Sequence, residues 1–439
     1  MDVVNNKSYK KFLIVWMGQM ISSIGVGLTA FSLGVYAFEK TNTATSAALI
    51  TLFSFLPSIL LRPVGGVLAD RYDRRVMMIL GDLGSALGLV FILFVMLTGD
   101  VQLWQIYVGV TISSIFAALQ SPAYKASATD LLTDEQFSKG SGLVQLAESA
   151  KFLFSPIIAG FLLSVTTIEN ILIIDISTFV VAILAVLFVK KNLQTVSKES
   201  ENQNFLTDLK EGWNAISSSK GILLLVTIIS IVTFYLGFLQ TLIGPMILSF
   251  SDARTLGTFQ SVSAIGMIIS SLVIGIFSVS KKYSRMLVLG MVFAGLSFSL
   301  LGLTTNLYFI IGAGFLFLSA LPFINTSADV LVRQNISNEK QGRVWGIIGI
   351  LSQLGFVVAY SLAGFLADHV FNPLLEEGGL LAPSIGEIIG TGPGRGIGLL
   401  FIIAGVLVMI LAGITSRFES IKSLENSSRL TQSEQEVQG

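Results

Sequence analysis

No cysteine occurs anywhere in the 439 residues, and histidine occurs once, at His369. The first absence excludes a disulfide framework, thiolate metal centres and cysteine nucleophiles, and the second argues against histidine-based metal sites and catalytic triads. Charge is scarce as well. Lys, Arg, Asp and Glu together make 12% of the chain, about half the share usual in soluble domains. The 27 basic residues are balanced by 27 acidic ones, so no basic surplus points to a nucleic-acid partner. A Gly-Lys pair, without which a phosphate-binding P-loop cannot be written, is missing too, which argues against ATP as an energy source.

What the chain has instead is apolar length. Hydrophobic residues make 53% of it, and the mean hydropathy is +0.79, which places it among polytopic helical membrane proteins. Twelve apolar stretches reach the length of about 20 residues needed to cross a bilayer. They run over 12–38, 44–69, 76–97, 101–124, 140–165, 170–189, 222–249, 255–280, 286–304, 307–331, 342–367 and 396–416. The first is too long for a signal-peptide core and is read as a membrane helix. Basic residues set the expected orientation: 22 Lys and Arg fall on the side shared by the two ends of the chain, against three on the other, so both termini are expected in the cytoplasm.

Residues 65–75 read Gly-Gly-Val-Leu-Ala-Asp-Arg-Tyr-Asp-Arg-Arg, an apolar helix end that runs into Asp70, Arg71, Asp73, Arg74 and Arg75. In so apolar a chain this cluster belongs at a water boundary, and Gly65 and Gly66 before it let a second backbone approach. The halves also repeat. Shifted by 204 residues, Ala159-Gly160-Phe161-Leu162 meets Ala363-Gly364-Phe365-Leu366, and Gly142 meets Gly346. The charge cluster repeats only as Ser280-Lys281-Lys282-Tyr283-Ser284-Arg285, without the acids. The expected domains are a six-helix bundle over 1–190, a linker over 191–220, a second bundle over 221–417 and a disordered tail over 418–439. Within the linker, Phe205, Leu209, Trp213 and Ile216 form one apolar stripe, read as a helix lying on the cytoplasmic membrane face. The long connection 368–395 ends in a glycine run whose spacing is not that of a nucleotide loop, and it is read as a variable loop, a lid or a partner surface.

The stretch 65–75 resembles the signature between the second and third helices of the major facilitator superfamily, Gly-x-Leu-Ala-Asp-Arg-x-x-Arg-Arg, matched at Gly66, Leu68, Asp70, Arg71, Arg74 and Arg75. Residues 121–126 (Ser-Pro-Ala-Tyr-Lys-Ala), 130–135 (Asp-Leu-Leu-Thr-Asp-Glu), 205–213 (Phe-Leu-Thr-Asp-Leu-Lys-Glu-Gly-Trp) and 342–344 (Gly-Arg-Val) resemble, more narrowly, drug and macrolide exporters of the proton-antiporter type. Two features depart from that pattern. No basic residue lies within 106–119, and the helix-5 signature Gly-Pro-x-x-Gly-Gly survives only as Ser155-Pro156-Ile157-Ile158-Ala159-Gly160, keeping Pro156 and Gly160. The resemblance implies an all-α fold of twelve membrane helices in two rocking bundles. It also implies a latch in which Asp70 faces the start of the eleventh helix near Gly342 and Val344, while Arg74 pairs with Asp130.

Ionisable residues deep in the spans carry the remaining chemistry. Glu148 and Lys151, three apart, share a helix face near the midplane; an unpaired charge there costs about 3 kcal/mol or more. Either Glu148 exchanges a proton in competition with Lys151 or a substrate cation, or the two form a permanent structural pair. Asp175 is a weaker candidate that sits near the outer water, and Asp82 reads as a structural or gate charge. Gln19, Tyr235, Gln240, Asn325, Gln353 and Tyr360 are candidates to line a path. Pro156 and Gly160 mark either an antiporter helix or plain close packing.

The resemblance thus implies a secondary transporter of the bacterial plasma membrane, exporting macrolide-like or other amphipathic drugs by alternating access. Its partners would be a small amphipathic substrate, protons and lipid; it would need no cofactor beyond the proton gradient, no metal, no ATP and no nucleic acid. Export of a siderophore, lysophospholipid flipping and solute import by the same fold are the alternatives, with a non-transporting receptor or scaffold more distant. No enzymatic activity is expected.

Overall fold

Leu, Ile, Val and Phe fill these segments, and in hydrocarbon only a helix satisfies every backbone N–H and C=O within one segment. The computed structural model describes residues 8–133, 136–189, 205–276, 282–336, 338–421 and 423–425. The side chains of Asp70, Glu148 and residues 205–209, and residue 342, are among those outside the description. The helices are α1 (Tyr9–Thr41), α2 (Ala44–Arg71), α3 (Arg74–Thr98), α4 (Leu103–Leu131), α5 (Phe137–Val165), α6 (Ile168–Phe188), α7 (Phe205–Ser217), α8 (Lys220–Leu248), α9 (Ala253–Ile276), α10 (Tyr283–Leu301), α11 (Leu307–Asn335) and α12 (Asn338–Leu366). A π-helical turn (Ala367–Phe371), the short α13 (Asn372–Leu375) and α14 (Ile385–Ile389), and α15 (Arg395–Arg417) complete the order. Twelve of these helices are long and apolar enough to span a membrane.

Polar side chains start and stop the helices. Asp73 accepts from the backbone N–H of Arg75 at the head of α3, and Asn306 accepts from Tyr308 and Phe309 at the head of α11, meeting N–H groups that lack intrahelical partners. Asp252 does the same for Thr255 at 2.8 Å, and that backbone bond holds its carboxyl below the usual range. Prolines inside the spans are tolerated because a neighbouring hydroxyl repairs the ladder. Beside Pro57 in α2, Ser58 N–H donates to Ser114 Oγ at 3.1 Å, and that hydroxyl donates on to the Ser54 carbonyl at 2.7 Å.

The chain divides into two compact units, one of α1 to α6 with residues 251–261, the other of Glu201–Phe250 and Val262–Gly439. In the first, α1 packs on α5 and α6, and α4 on α2 and α3. Two apolar clusters occupy its ends: Phe12, Trp16, Met78, Leu131 and Val186 in one, Leu33, Ile50, Ile92, Ile106 and Phe179 in the other. In the second unit Phe298 is the hub, with ring centroids 5.0 Å from both Phe317 and Phe401.

Three expectations change. Helix α7 docks on α12: Ile216 is fully buried, Gly212 rests against the Arg343 backbone, and Glu211 Oε2 lies 2.5 Å from Arg343 Nη1. Trp213, from the expected stripe, stays half exposed, whereas Ile216 of the same stripe packs on the side of Gly212. The tail does not begin at 418 either. Ile421 and Leu424 are buried, the Leu424 carbonyl accepts from Asn335 Nδ2 at 3.0 Å, and Ser284 donates to Glu425; residues 426–439 lie outside the described residues. Likewise 368–395 is a folded cap rather than a plain loop. Leu375 and Ile389 are buried against Leu399, and Arg395, 2% exposed, donates to the Gly302 carbonyl at 2.6 Å. Because Leu424 fills a packed position, Leu424→Ala is expected to lower stability by about 2–5 kcal/mol, measured by thermal unfolding in detergent.

Candidate functional site

Gly25 and Gly27 on α1 allow the side chains of α5 and α6 to meet the backbone of the first helix. A Cβ on Gly25 would fall 2.5 Å from Asp175 Oδ1, and one on Gly27 would lie 2.6 Å from Ser155 Cβ and 3.1 Å from Lys151 Cγ. Into this gap α6 delivers Asp175. Its carboxylate is 0% exposed, where the sequence suggested contact with outer water. It accepts from Thr29 Oγ1 at 2.5 Å and from Thr178 Oγ1 at 3.2 Å, and it lies within the Coulombic reach of Lys151. The site therefore has a carboxylate, two hydroxyl donors and a lysine, all within spans, with Asp175 and Thr29 buried and Thr178 and Lys151 partly buried. A carboxylate in such a setting is chemically able to take up a proton or a cation.

The partner that the sequence proposed for Lys151 was Glu148, whose side chain lies outside the described residues. Asp175 was the weaker candidate in the sequence; its hydrogen-bond partners Thr29 and Thr178 are what sequence reasoning missed. The visible signals were Gly25-x-Gly27 in the first span and a threonine three residues after Asp175. A second buried carboxylate, Asp82 on α3, is 2% exposed. It accepts from Gln19 Nε2 at 3.1 Å, and Gln19 Oε1 accepts from Gln120 Nε2 at 2.5 Å. Gln19 thus sits inside the first unit, bonded to a carboxylate.

The charged end of α2 is built as follows. Arg74 Nη1 lies 2.6 Å from Asp130 Oδ1 and also donates to the Ala126 carbonyl at 2.9 Å, which ties the head of α3 to α4. Arg71 is exposed and Arg75 half-buried. Gly65 faces α4 at the Ala118 carbonyl, whereas Gly66 has open space around it; one residue is about 100° of helix rotation, so the close approach falls on Gly65 and not on the motif glycine. Asp70 and residue 342 lie outside the described side chains, and Val344 is buried.

On α5, Pro156 and Gly160 are buried. Gly160 lies against the Ala253 carbonyl and Gly257 against Ile157 Cα, while Ser261 donates to the Leu153 carbonyl at 2.6 Å, beside the carbonyl that Pro156 deprives of its helical donor. Small residues and a hydroxyl thus hold this helix to the first turns of α9. Among the path candidates of the second unit, Tyr360 donates to Gln240 Oε1 at 2.6 Å, and Tyr235 makes edge contacts with Phe234 and Phe298. Asn325 is exposed, and Gln353 buries Oε1 without a hydrogen-bond partner. Among the described residues, no group of three or more His, Cys, Asp and Glu has metal-holding geometry.

A family model described as Major Facilitator Superfamily matches residues 15–360. Macrolide efflux protein A of Streptococcus pyogenes is 25% identical over 430 residues, covering 97% of this chain and 100% of that protein. The uncharacterized MFS-type transporter YfiS of Bacillus subtilis (strain 168) is 26% identical over 426 residues, 93% of each chain. Among solved structures, the nucleoside transporter NupG superposes with a TM-score of 0.74 over 93% of this chain and 99% of its own at 13% identity, a likeness of fold alone.

A double-mutant cycle on Arg74→Ala and Asp130→Ala is expected to give a coupling of about 0.5–3 kcal/mol, while Arg71→Ala alone changes stability by less than about 0.5 kcal/mol. A coupling of zero in thermal unfolding would show that the bridge does not hold α3 to α4.

Proposed function

This chain belongs to the major facilitator superfamily, with a match across 15–360, and from that premise we propose that it exports macrolide-like, amphipathic compounds in exchange for protons. That it is a transporter, multi-pass in a bacterial plasma membrane, follows from the family, its bacterial relatives and its twelve membrane-length helices. The cargo class is supported by the relative named for macrolide efflux, which aligns along its whole length. Proton coupling rests on one observation above the rest, the carboxylate of Asp175 buried in a span between two threonine hydroxyls and within reach of Lys151.

Ionised, Asp175 is held by Thr29, Thr178 and the lysine charge. Protonated, it releases the lysine's field, so that Lys151 and Glu148, three residues away on α5, change partners. The proton then serves as the counter-cargo: it enters when the site faces the proton-rich side and leaves when substrate has gone the other way. Two six-helix bundles over 1–190 and 221–417, with both termini cytoplasmic, would rock about the path between them. The Asp70 to Arg75 end, latched through Arg74 and Asp130, would shut the cytoplasmic side, while Pro156 and Gly160 keep α5 tightly packed. Gln19, Tyr235, Gln240, Asn325, Gln353 and Tyr360 remain the polar positions from which a substrate contact would be sought.

The test is efflux of a labelled macrolide from cells or inverted vesicles, with and without an uncoupler. Wild-type efflux is expected to collapse with the uncoupler. Asp175→Asn and Glu148→Gln are each expected to abolish the uncoupler-sensitive part while leaving the amount of protein in the membrane unchanged. Efflux indifferent to the uncoupler would remove proton coupling, and transport of no macrolide would remove the cargo assignment.

A further inference from the structure

The second buried carboxylate has no role in the exchange described above. Asp82 lies about 12 Å along α3 from the charged end, Gln19 about 15 Å along α1 from the same end, and Gln120 about 16 Å up α4, counting 1.5 Å per residue. The three form one layer across three helices, linked from Asp82 to Gln19 to Gln120. Its outer end is different in kind from its inner end: Asp82 is 2% exposed, whereas Gln120 on α4 is only partly buried.

Among the described residues, nothing charged meets Asp82 at this depth. Helix α1 carries no charged residue over 12–38, α4 none over 103–124, and α6 none between Asp175 and Lys190. Arg62 of α2 is exposed. The basic groups closest along the helices are Arg74 and Arg75, about two turns away on α3, and the exposed Lys125 on α4. A lone ionised carboxylate with one amide donor is unfavourable in so apolar a setting, and the neutral acid is the form such an environment favours.

We infer that Asp82 is a second proton-carrying residue of the transporter, and that Gln19 and Gln120 transmit its charge state to the surface of α4. The inference rests on the proton-coupled reading above. Gln19 donates its N–H to the carboxylate and Gln120 donates its own to Gln19 Oε1, a head-to-tail arrangement that stabilises the anion through aligned dipoles. When a proton binds Oδ2, that atom turns from acceptor to donor. Gln19 must then present its Oε1 to Asp82 and its Nε2 to Gln120, and Gln120 must offer its own oxygen. One proton therefore reverses two amides and reaches a side chain on another helix. Gln19 and Gln120 act as positioning residues in this chain; Asp82 alone takes the proton.

The experiment uses the full chain reconstituted in liposomes and compares infrared spectra at acidic and alkaline pH. The wild type is expected to show the carbonyl stretch of a buried protonated carboxyl that Asp82→Asn removes and Asp82→Glu restores at a shifted position. Asp175→Asn should leave that band in place. Gln19→Leu and Gln120→Leu should keep the band, and Gln19→Leu should displace the pH at which it disappears. In the macrolide assay, Asp82→Asn should lose uncoupler-sensitive accumulation and retain exchange down the substrate gradient, which shows the protein is folded. Gln120→Leu should flatten the pH profile of transport. If the carbonyl region of Asp82→Asn matches the wild type at every pH, Asp82 carries no proton and the inference fails. If the wild type moves no macrolide, the exporter reading fails, and the infrared comparison still decides the state of Asp82.

Discussion

A polar group inside hydrocarbon has no water to fall back on, and each one left alone costs several kcal/mol. The arrangement of this protein follows from that constraint. A serine hydroxyl closes the break beside Pro57, and another meets the Leu153 carbonyl beside Pro156. Two threonines surround Asp175, an amide answers Asp82, and Tyr360 finds Gln240. Where charges are numerous, at residues 70–75, the helix has reached its end.

Helix α1 emerges as the common element of the first unit. It provides Gln19 to Asp82 and Thr29 to Asp175, about 15 Å apart along its axis. Its glycines at 25 and 27 bring the α5 and α6 side chains against its backbone, so that a small displacement of α1 alters the donors of both carboxylates at once. Interhelical hydrogen bonds in membranes contribute only about 0.6 kcal/mol on average, little enough to be exchanged during a working cycle. Both buried carboxylates thus take a donor from the same helix.

The second unit has another character. Among its described residues no Asp or Glu within a membrane span is buried; Asp329 pairs at 2.8 Å with Arg333 one turn along the same helix, with both side chains substantially exposed. Its core is aromatic, centred on Phe298, and its one buried span-end cation, Arg395, bonds the end of α10 beneath the folded cap. The two buried span carboxylates among the described residues, Asp82 and Asp175, both lie in the first unit.

Membrane residence, the number of spans and the charged boundary at 65–75 were legible in the sequence, because hydropathy and length accumulate along the chain and need no partner. The family was legible for a similar reason: its signature is local. The docking of α7 and the packing of Ile421 and Leu424 were not, since a short apolar stripe suits a lipid face and a helix groove equally well. Nor was the close approach of Gly65 in place of Gly66, which depends on where α4 lies. Above all, the partners of Asp82 and Asp175 were decided by tertiary structure. Asp82 draws its donor from 63 residues away and Asp175 from 146 residues away. The stretches around both acids show only a carboxylate in an apolar helix; whether it meets water, a hydroxyl, an amide or a lysine is settled when distant helices pack.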